Sequence, residues 1–283
     1  MSSRLAWQWV GAVMVLSLMW GCATHTPPYA WIPEAPEAAT PEEFRAGGQP
    51  SLKELFGGGH KLDMGWTFRV ITQEELNRLG NKDPELSPSF SRAILARLNA
   101  RARYYIAEDI EKGRPLKVPN DFKAFKHWTP MPKYIPEVVT IPKFIVVVKD
   151  IPFLGWYENG KLMTDTEICI GKNEEWTSAG IYRVENKDAN HISRSYTNAY
   201  GQPAPMPWAL RIYGHVWIHA GDIATGYCSH GCINLPMMPA TRLFDWADPG
   251  TPVLVLESLE DLKTVLVRNQ SNCKLYTSAC ERK

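Results

Sequence analysis

The sequence predicts a mainly β domain with few helices, preceded by a small helical N-terminal region. Two observations carry this. From about residue 140 onward, short β-branched and aromatic runs follow one another between turn residues, beginning with KFIVVVK at 143–149. Upstream, over residues 87–113, the apolar residues instead recur at helical spacing.

Composition bounds the function classes. The chain has 283 residues, 45% hydrophobic and 22% charged, enough for one large domain with a smaller companion and a real core. A formal net charge of +1 supplies no global basic field, so nucleic acid is not an expected partner. Eleven Trp residues suggest a lined cleft, although burial in a core is the commoner fate of an aromatic side chain.

Residues 1–22 read as an export signal. Arg4 opens it, residues 10–20 are apolar but too short for a mature membrane span, and Met19-Trp20-Gly21-Cys22 follows. That ending resembles a bacterial lipoprotein cleavage site with Cys22 lipidated, although Trp20 stands where a small residue is usual. A plain signal peptide and an uncleaved anchor are the alternatives, and all three place the bulk of the chain outside the cytoplasm. The expected address is the periplasm or cell envelope; an outer-membrane lipid anchor is a lean, and the choice between inner and outer membrane stays open. Residues 23–59 are rich in Pro, Ala, Glu and Thr and end in Gly57-Gly58-Gly59, the composition of a tether.

Residues 60–135 form the helical region, whose role the sequence leaves open. Thr72-Gln73-Glu74-Glu75 has the capping-box pattern. Ser87-Pro88 offers a cap followed by Pro at the first helical position. Ile94, Leu95, Leu98, Ala102, Tyr105, Ile106 and Ile110 then continue one helical pattern up to Gly113. Arg92, Arg97, Arg101 and Arg103 on it read as a solvated face. In the β region, residues 153–157 lead into Asn159-Gly160, a strong hairpin signal, and 161–170 return. Residues 181–185, 209–213 and 216–219 are further strands. Leu243, Phe244 and Trp246 lie on a short helix, 251–257 form a closing strand, and Ser258 caps a terminal helix within 258–283.

The chemistry concentrates in Ile218-His219-Ala220-Gly221 and Ser229-His230-Gly231-Cys232-Ile233-Asn234. A thiol with a free pKa of about 8.5 needs a base or a positive potential to act as a nucleophile near neutrality. His219 stands at the end of a strand, thirteen residues before Cys232. Gly231 removes bulk beside the thiol, so that a backbone N–H can face a reacting carbonyl. Asn234 is positioned to hold the loop through its amide. Paired Cys-x-x-Cys or His-x-x-x-His spacing is lacking, so no metal is expected here. Of the other cysteines, Cys169 reads as an inert buried thiol, and Cys273 with Cys280 as a candidate disulfide in an oxidising compartment. Cys228 reads as a free space-filling thiol, the alternative being a reversible disulfide with Cys232.

At these residues the sequence resembles the L,D-transpeptidases of the YkuD type, whose signature is a His, a short loop, then Ser/Thr-His-Gly-Cys-x-Asn/Arg. Thr177-Ser178-Ala179-Gly180-Ile181-Tyr182, Met206-Pro207-Trp208 and Gly250-Thr251-Pro252-Val253 resemble three further family elements, in the family's order. Ser178 stands where Pro is usual, and Trp208 where Tyr is. The nine-residue loop between His219 and Ser229 is short for the family. The resemblance spans 141–257 and implies a β-sandwich catalytic domain. It also implies a mechanism without cofactor. Cys232 attacks the bond between a position-three diamino acid and terminal D-Ala of a peptidoglycan tetrapeptide stem. His219 is the base and the carbonyl of Ala220 its orienter. N–H groups of Gly231 and Cys232 form the oxyanion hole, while Ser229 and His230 support the loop. Met206, Trp208, Tyr213 and Tyr227, with Trp217, are candidate cleft residues, each equally able to be core. His60, His127, His191 and His215 read as surface or core histidines.

Three other outcomes stay open. Water as acceptor makes the same site a peptidoglycan hydrolase or L,D-carboxypeptidase. A lipoprotein lysine makes it a protein-anchoring enzyme. A non-catalytic wall-binding lipoprotein would keep the fold without the chemistry. A papain-like peptidase is disfavoured, because there the Cys opens a helix and precedes its His.

Overall fold

The computed structural model describes residues 64–198 and 200–270. The signal, Cys22, the tether, His60, Cys273 and Cys280 lie outside them. The described residues all fall in one unit. Among the described residues no helix is long and apolar enough to cross a membrane.

The first layer follows from Phe144–Val148, strand β3, whose five residues are all buried. An apolar run this continuous has no polar face to give to water, so both faces must be covered. β3 lies inside a five-stranded sheet with β4 (Phe153–Glu158), β5 (Lys161–Glu167), β7 (Gly180–Arg183) and β13 (Pro252–Leu256), in the order β5-β4-β3-β13-β7. The β3–β13 pair is parallel and the others antiparallel. Alternate residues then face opposite ways. Ile145 and Val147 point to one core; Phe144, Val146 and Val148 point to another, closed by Ile135, Val138 and Leu266.

The second layer is a four-stranded sheet, β12-β10-β9-β8. It contains β8 (Asn186–Thr197), β9 (Pro203–Tyr213), β10 (Val216–Ala220) and β12 (Ile233–Leu235). Its Leu210, Ile212, Ile218, Ala220, Ile233 and Leu235 pack with Ile145, Val147, Leu154 and Val253 of the first layer. A mainly β sandwich is therefore the architecture. Helix α4 (Met237–Trp246) contributes Ala240 and Leu243 to that same core. The β4–β5 turn is the expected hairpin, with Asn159 at φ 47 and Gly160 at φ 77. A Cβ on Gly160 would also stand 2.5 Å from the carbonyl of Ile135.

The helical region has its own core, built from α1 (Gln73–Lys82), α2 (Pro88–Leu98), α3 (Arg103–Glu111) and the small sheet of β1 (Trp66–Arg69) with β2 (Leu116–Pro119). The Thr72 cap accepts from the N–H of Glu75, and the Ser87 cap from that of Phe90. The single helical pattern over 87–113 is corrected to two helices. The chain breaks after Leu98, with Ala100 at φ 44. At the break, Arg101 turns to Asp109 at 2.7 Å, and the Ala102 N–H donates to Ile223 O at 2.8 Å. These tertiary bonds outweigh continued helical periodicity. The solvated arginine face is corrected too. Arg97 is held by Asp165, and Arg101 by Asp109 and the carbonyl of Ala224.

The returning hairpin strand ends at Glu167 rather than at residue 170. Ile170–Gly171 form β6, which pairs in parallel with β11 (Tyr227–Ser229). β8 is long and mostly polar, and no apolar alternation announces it. At the C-terminus Ser258 Oγ accepts from the Glu260 N–H, opening a short 3₁₀ turn before α5 (Leu262–Gln270).

Candidate active site

The site is built where β10 and β12 run side by side. Ile218 pairs with Ile233 and His219 with Asn234 in a parallel ladder. One step earlier, Cys232 stands beside Trp217. Side chains alternate along each strand, so His219 and Cys232 fall on one face as diagonal neighbours.

His219 is buried and its ring is oriented by a short bond, Nδ1 to Ala220 O at 2.8 Å. A carbonyl only accepts, so Nδ1 carries the proton and Nε2 keeps its lone pair. Burial lowers the His219 pKa to about 4; the Ala220 carbonyl opposes that shift and His191 adds to it. Cys232 is half-buried, and burial raises its thiol, with a backbone contact to Trp217 acting the other way. The thiol sits 3.8 Å from His215 O, and no hydrogen bond joins it to His219. The resting pair is therefore neutral thiol and neutral imidazole, not an ion pair.

The turn before the thiol is closed by Ser229. Its Oγ accepts from the Gly231 N–H at 3.0 Å and donates to Cys232 O at 2.5 Å. This corrects the expectation that Gly231 donates to an oxyanion, because its N–H is already engaged. The Cys232 N–H has no acceptor among the described residues. Gly231 adopts φ +122, and a Cβ there would lie 2.8 Å from Trp176 O, so a glycine is required. Thr177 Oγ1 pins the same residue by donating to Gly231 O at 2.8 Å. His230 is stacked between Trp176 and Tyr196, with ring centroids 5.5 and 4.5 Å away. Asn234 Nδ2 donates to Asp222 O at 2.9 Å, tying β12 to the loop.

The other candidate cleft residues divide. Met206 is buried, and Trp208, at φ 58, packs edge-on against Phe244 of α4. Both belong to the packing of the second sheet, which corrects their cleft assignment. Tyr213 stacks on Tyr182 at 4.1 Å and accepts the Ser178 N–H. The Tyr227 hydroxyl donates to Lys149 O. Trp176, Tyr196 and His191 were not expected near the site, yet the first two flank His230, and His191 stacks on Trp217 at 4.0 Å. Aromatic rings this close to the motif offered a compositional hint, but only the fold supplies the pairing.

Cys169 and Cys228 form a disulfide, which corrects two expectations at once: the inert thiol and the free thiol beside Cys232. Cys232 is the free cysteine among the described residues. The bond ties the loop before Ser229 to the chain leading into β6. Replacing both cysteines by serine is expected to lower unfolding free energy by about 2–4 kcal/mol, since the bridge closes a long chain loop. Denaturant titration of the two proteins checks this; equal midpoints would refute it. Among the described residues no group of three His, Cys, Asp or Glu is arranged for a metal.

A free thiol and a tautomer-fixed imidazole thus share one face where β10 and β12 of the sandwich run side by side. Residues 142–255 match the family model described as YkuD, L,D-transpeptidase catalytic domain, and this part of the chain belongs to that family. The catalytic domain of an Enterococcus faecium L,D-transpeptidase, solved by NMR, is 33% identical over 40% of this chain and 95% of its own, with a TM-score of 0.34. A crystal structure of a variant of the E. faecium L,D-transpeptidase is 31% identical over 40% of this chain and 49% of its own, at 0.36. L,D-transpeptidase 1 of Mycobacterium tuberculosis is 21% identical over 40% and 61%, at 0.35. The chain thus spans about half of the length of these longer proteins. No curated protein sequence matches it.

Proposed function

We propose that the chain is a peptidoglycan L,D-transpeptidase of the cell envelope, with Cys232 as nucleophile and His219 as general base. The observation that carries this is the Nδ1–H bond of His219 to Ala220 O, which leaves a bare Nε2 on the face that Cys232 shares. Nε2 takes the thiol proton as sulfur bonds to the carbonyl carbon of a tetrapeptide stem. The Cys232 N–H faces the oxyanion. The C–N bond to terminal D-Ala breaks, and the imidazolium returns its proton to the leaving amine. A stem amine then attacks the thioester, passes a proton through His219 to the departing sulfur, and leaves a cross-link. The catalytic unit is 141–257, and the exported chain is held at the membrane by lipid on Cys22.

Mass spectrometry of the full chain with a disaccharide-tetrapeptide tests the proposal, beside Cys232→Ala. Cross-linked dimer and free D-Ala from the wild type alone are expected. D-Ala with only tripeptide left would move the assignment to a hydrolase or to an enzyme awaiting a protein acceptor. No D-Ala, with Cys232 unlabelled by a carbapenem, would favour the non-catalytic wall-binding reading.

A further inference from the structure

The loop from Ala220 to Cys228 joins the two halves of the site, and its far end is fixed by the disulfide and by β6. Its near end is fixed by the helical region. The Tyr105 hydroxyl donates to Asp222 Oδ2 at 2.7 Å, and the Tyr104 hydroxyl donates to Oδ1. Ala102 N–H donates to Ile223 O at 2.8 Å, and Arg101 donates to Ala224 O. Arg101 is itself held by the buried carboxylate of Asp109 and lies over the Tyr105 ring at 4.7 Å. Arg101, Ala102, Tyr104 and Tyr105 thus grip three consecutive loop residues, 222–224.

The grip is coupled to the chemistry through few contacts. Asp222 O accepts from Asn234 Nδ2, and Asn234 is the register partner of His219. Gly221 N–H donates to Leu235 O at 3.0 Å. Between them lies Ala220, whose carbonyl sets the His219 tautomer. Asp222 thus stands two residues beyond the carbonyl that orients the base, on the same chain segment.

We propose that the break between α2 and α3 is a positioning element of the transpeptidase site, with Tyr104, Tyr105 and Arg101 holding the loop through Asp222 and Ala224 so that His219 faces Cys232. This answers what the helical region does, and it rests on the functional reading above. The bond to Asp222 raises the Tyr105 hydroxyl pKa, as a charged acceptor should. Because Tyr104 and Asp222 are largely exposed at this contact, their bonds add little to global stability, so geometry and folding can be separated.

The test is D-Ala release by the full-length chain carrying Tyr104→Phe and Tyr105→Phe together. Both rings stay and only the hydroxyls go. The expected result is a kcat about tenfold lower, with KM within about threefold and the melting temperature within about 3 °C. Asp222→Ala should match the pair, Asp222→Asn should fall between it and wild type, and combining Asp222→Ala with the pair should cost nothing more. Unchanged kcat, fully additive losses, or a loss explained wholly by unfolded protein would overturn the proposal. Should the wild type release no D-Ala, the functional reading fails instead. The iodoacetamide alkylation rate of Cys232, read by peptide mass spectrometry, then decides: a severalfold change in the tyrosine pair is expected, and an unchanged rate refutes the positioning role.

Discussion

His219→Ala is expected to lower D-Ala release by about 10²–10⁴-fold, the range that a positioned general base supplies. The neutral resting pair makes the pH behaviour specific. With its pKa near 4, His219 is an unprotonated base throughout the neutral range, so wild-type turnover should keep its base down to about pH 4. Cys232, raised by burial, holds its proton. Iodoacetamide alkylation of Cys232 should therefore climb only at alkaline pH, above the range of a free thiol. A plateau from acid to neutral pH would reveal a thiolate–imidazolium pair and refute the neutral one. Folding carries the same signature. The unfolded chain protonates His219 near 6.5 and the folded one near 4, so the unfolded state binds the extra proton between them. Stability should be full above about pH 6.5 and fall as pH drops towards 4. The loss is on the order of 3 kcal/mol and should be absent in His219→Ala.

The candidate nucleophile and base were legible because their chemistry is compressed into a few sequence positions. Ser229 to Asn234 form a single turn and strand start, and His219 ends the neighbouring strand, so linear order already approximates the spatial order. The Ala220 carbonyl was legible for the same reason, being adjacent to the ring it holds. The hairpin at Asn159-Gly160 and the buried β3 were written in local propensity. What failed was nonlocal. Nothing in the residues around Cys169 says that Cys228, 59 positions away, lies within bonding distance. At Gly231 the local sequence suggests room for a reacting carbonyl, whereas in the fold Trp176 O occupies the space and Ser229 takes the N–H. β8 was unreadable because Ser193 alone of its 12 residues is buried, so neither face calls for an apolar row. The break at Ala100 was invisible because Leu98, Ala102 and Ile106 keep helical spacing across it, and only Arg101 and its loop contacts reveal the interruption.

Arg97→Ala is expected to cost about 3–5 kcal/mol of unfolding free energy, lowering the melting temperature by roughly 6–20 °C for a unit of this size. Arg97 Nη2 lies 3.0 Å from both oxygens of Asp165 and 3.2 Å from Trp128 O. Nη1 reaches Asp165 O and, at 3.8 Å, the buried Glu167. The guanidinium also covers the Phe153 ring. Removing the arginine strands the Asp165 side chain, only 10% exposed, with Thr129 Oγ1 as its remaining side-chain partner. Burial already raises the Glu167 pKa, and Arg97 is the main influence opposing it, so that carboxyl would keep only the weaker influence of Arg103 as counter-charge. Arg97→Lys keeps the charge but not the planar fork and should recover only part of the loss. Adding Asp165→Ala to Arg97→Ala should cost less than the two separate losses combined, because the stranded charge is gone. A loss below about 1 kcal/mol for Arg97→Ala would mean that the cluster is no more than a surface pair. Since Arg97 stands on α2 and its acids on β5, the same measurement addresses cooperativity. A helical region joined to the first sheet through a buried charge cluster should melt together with it in one transition.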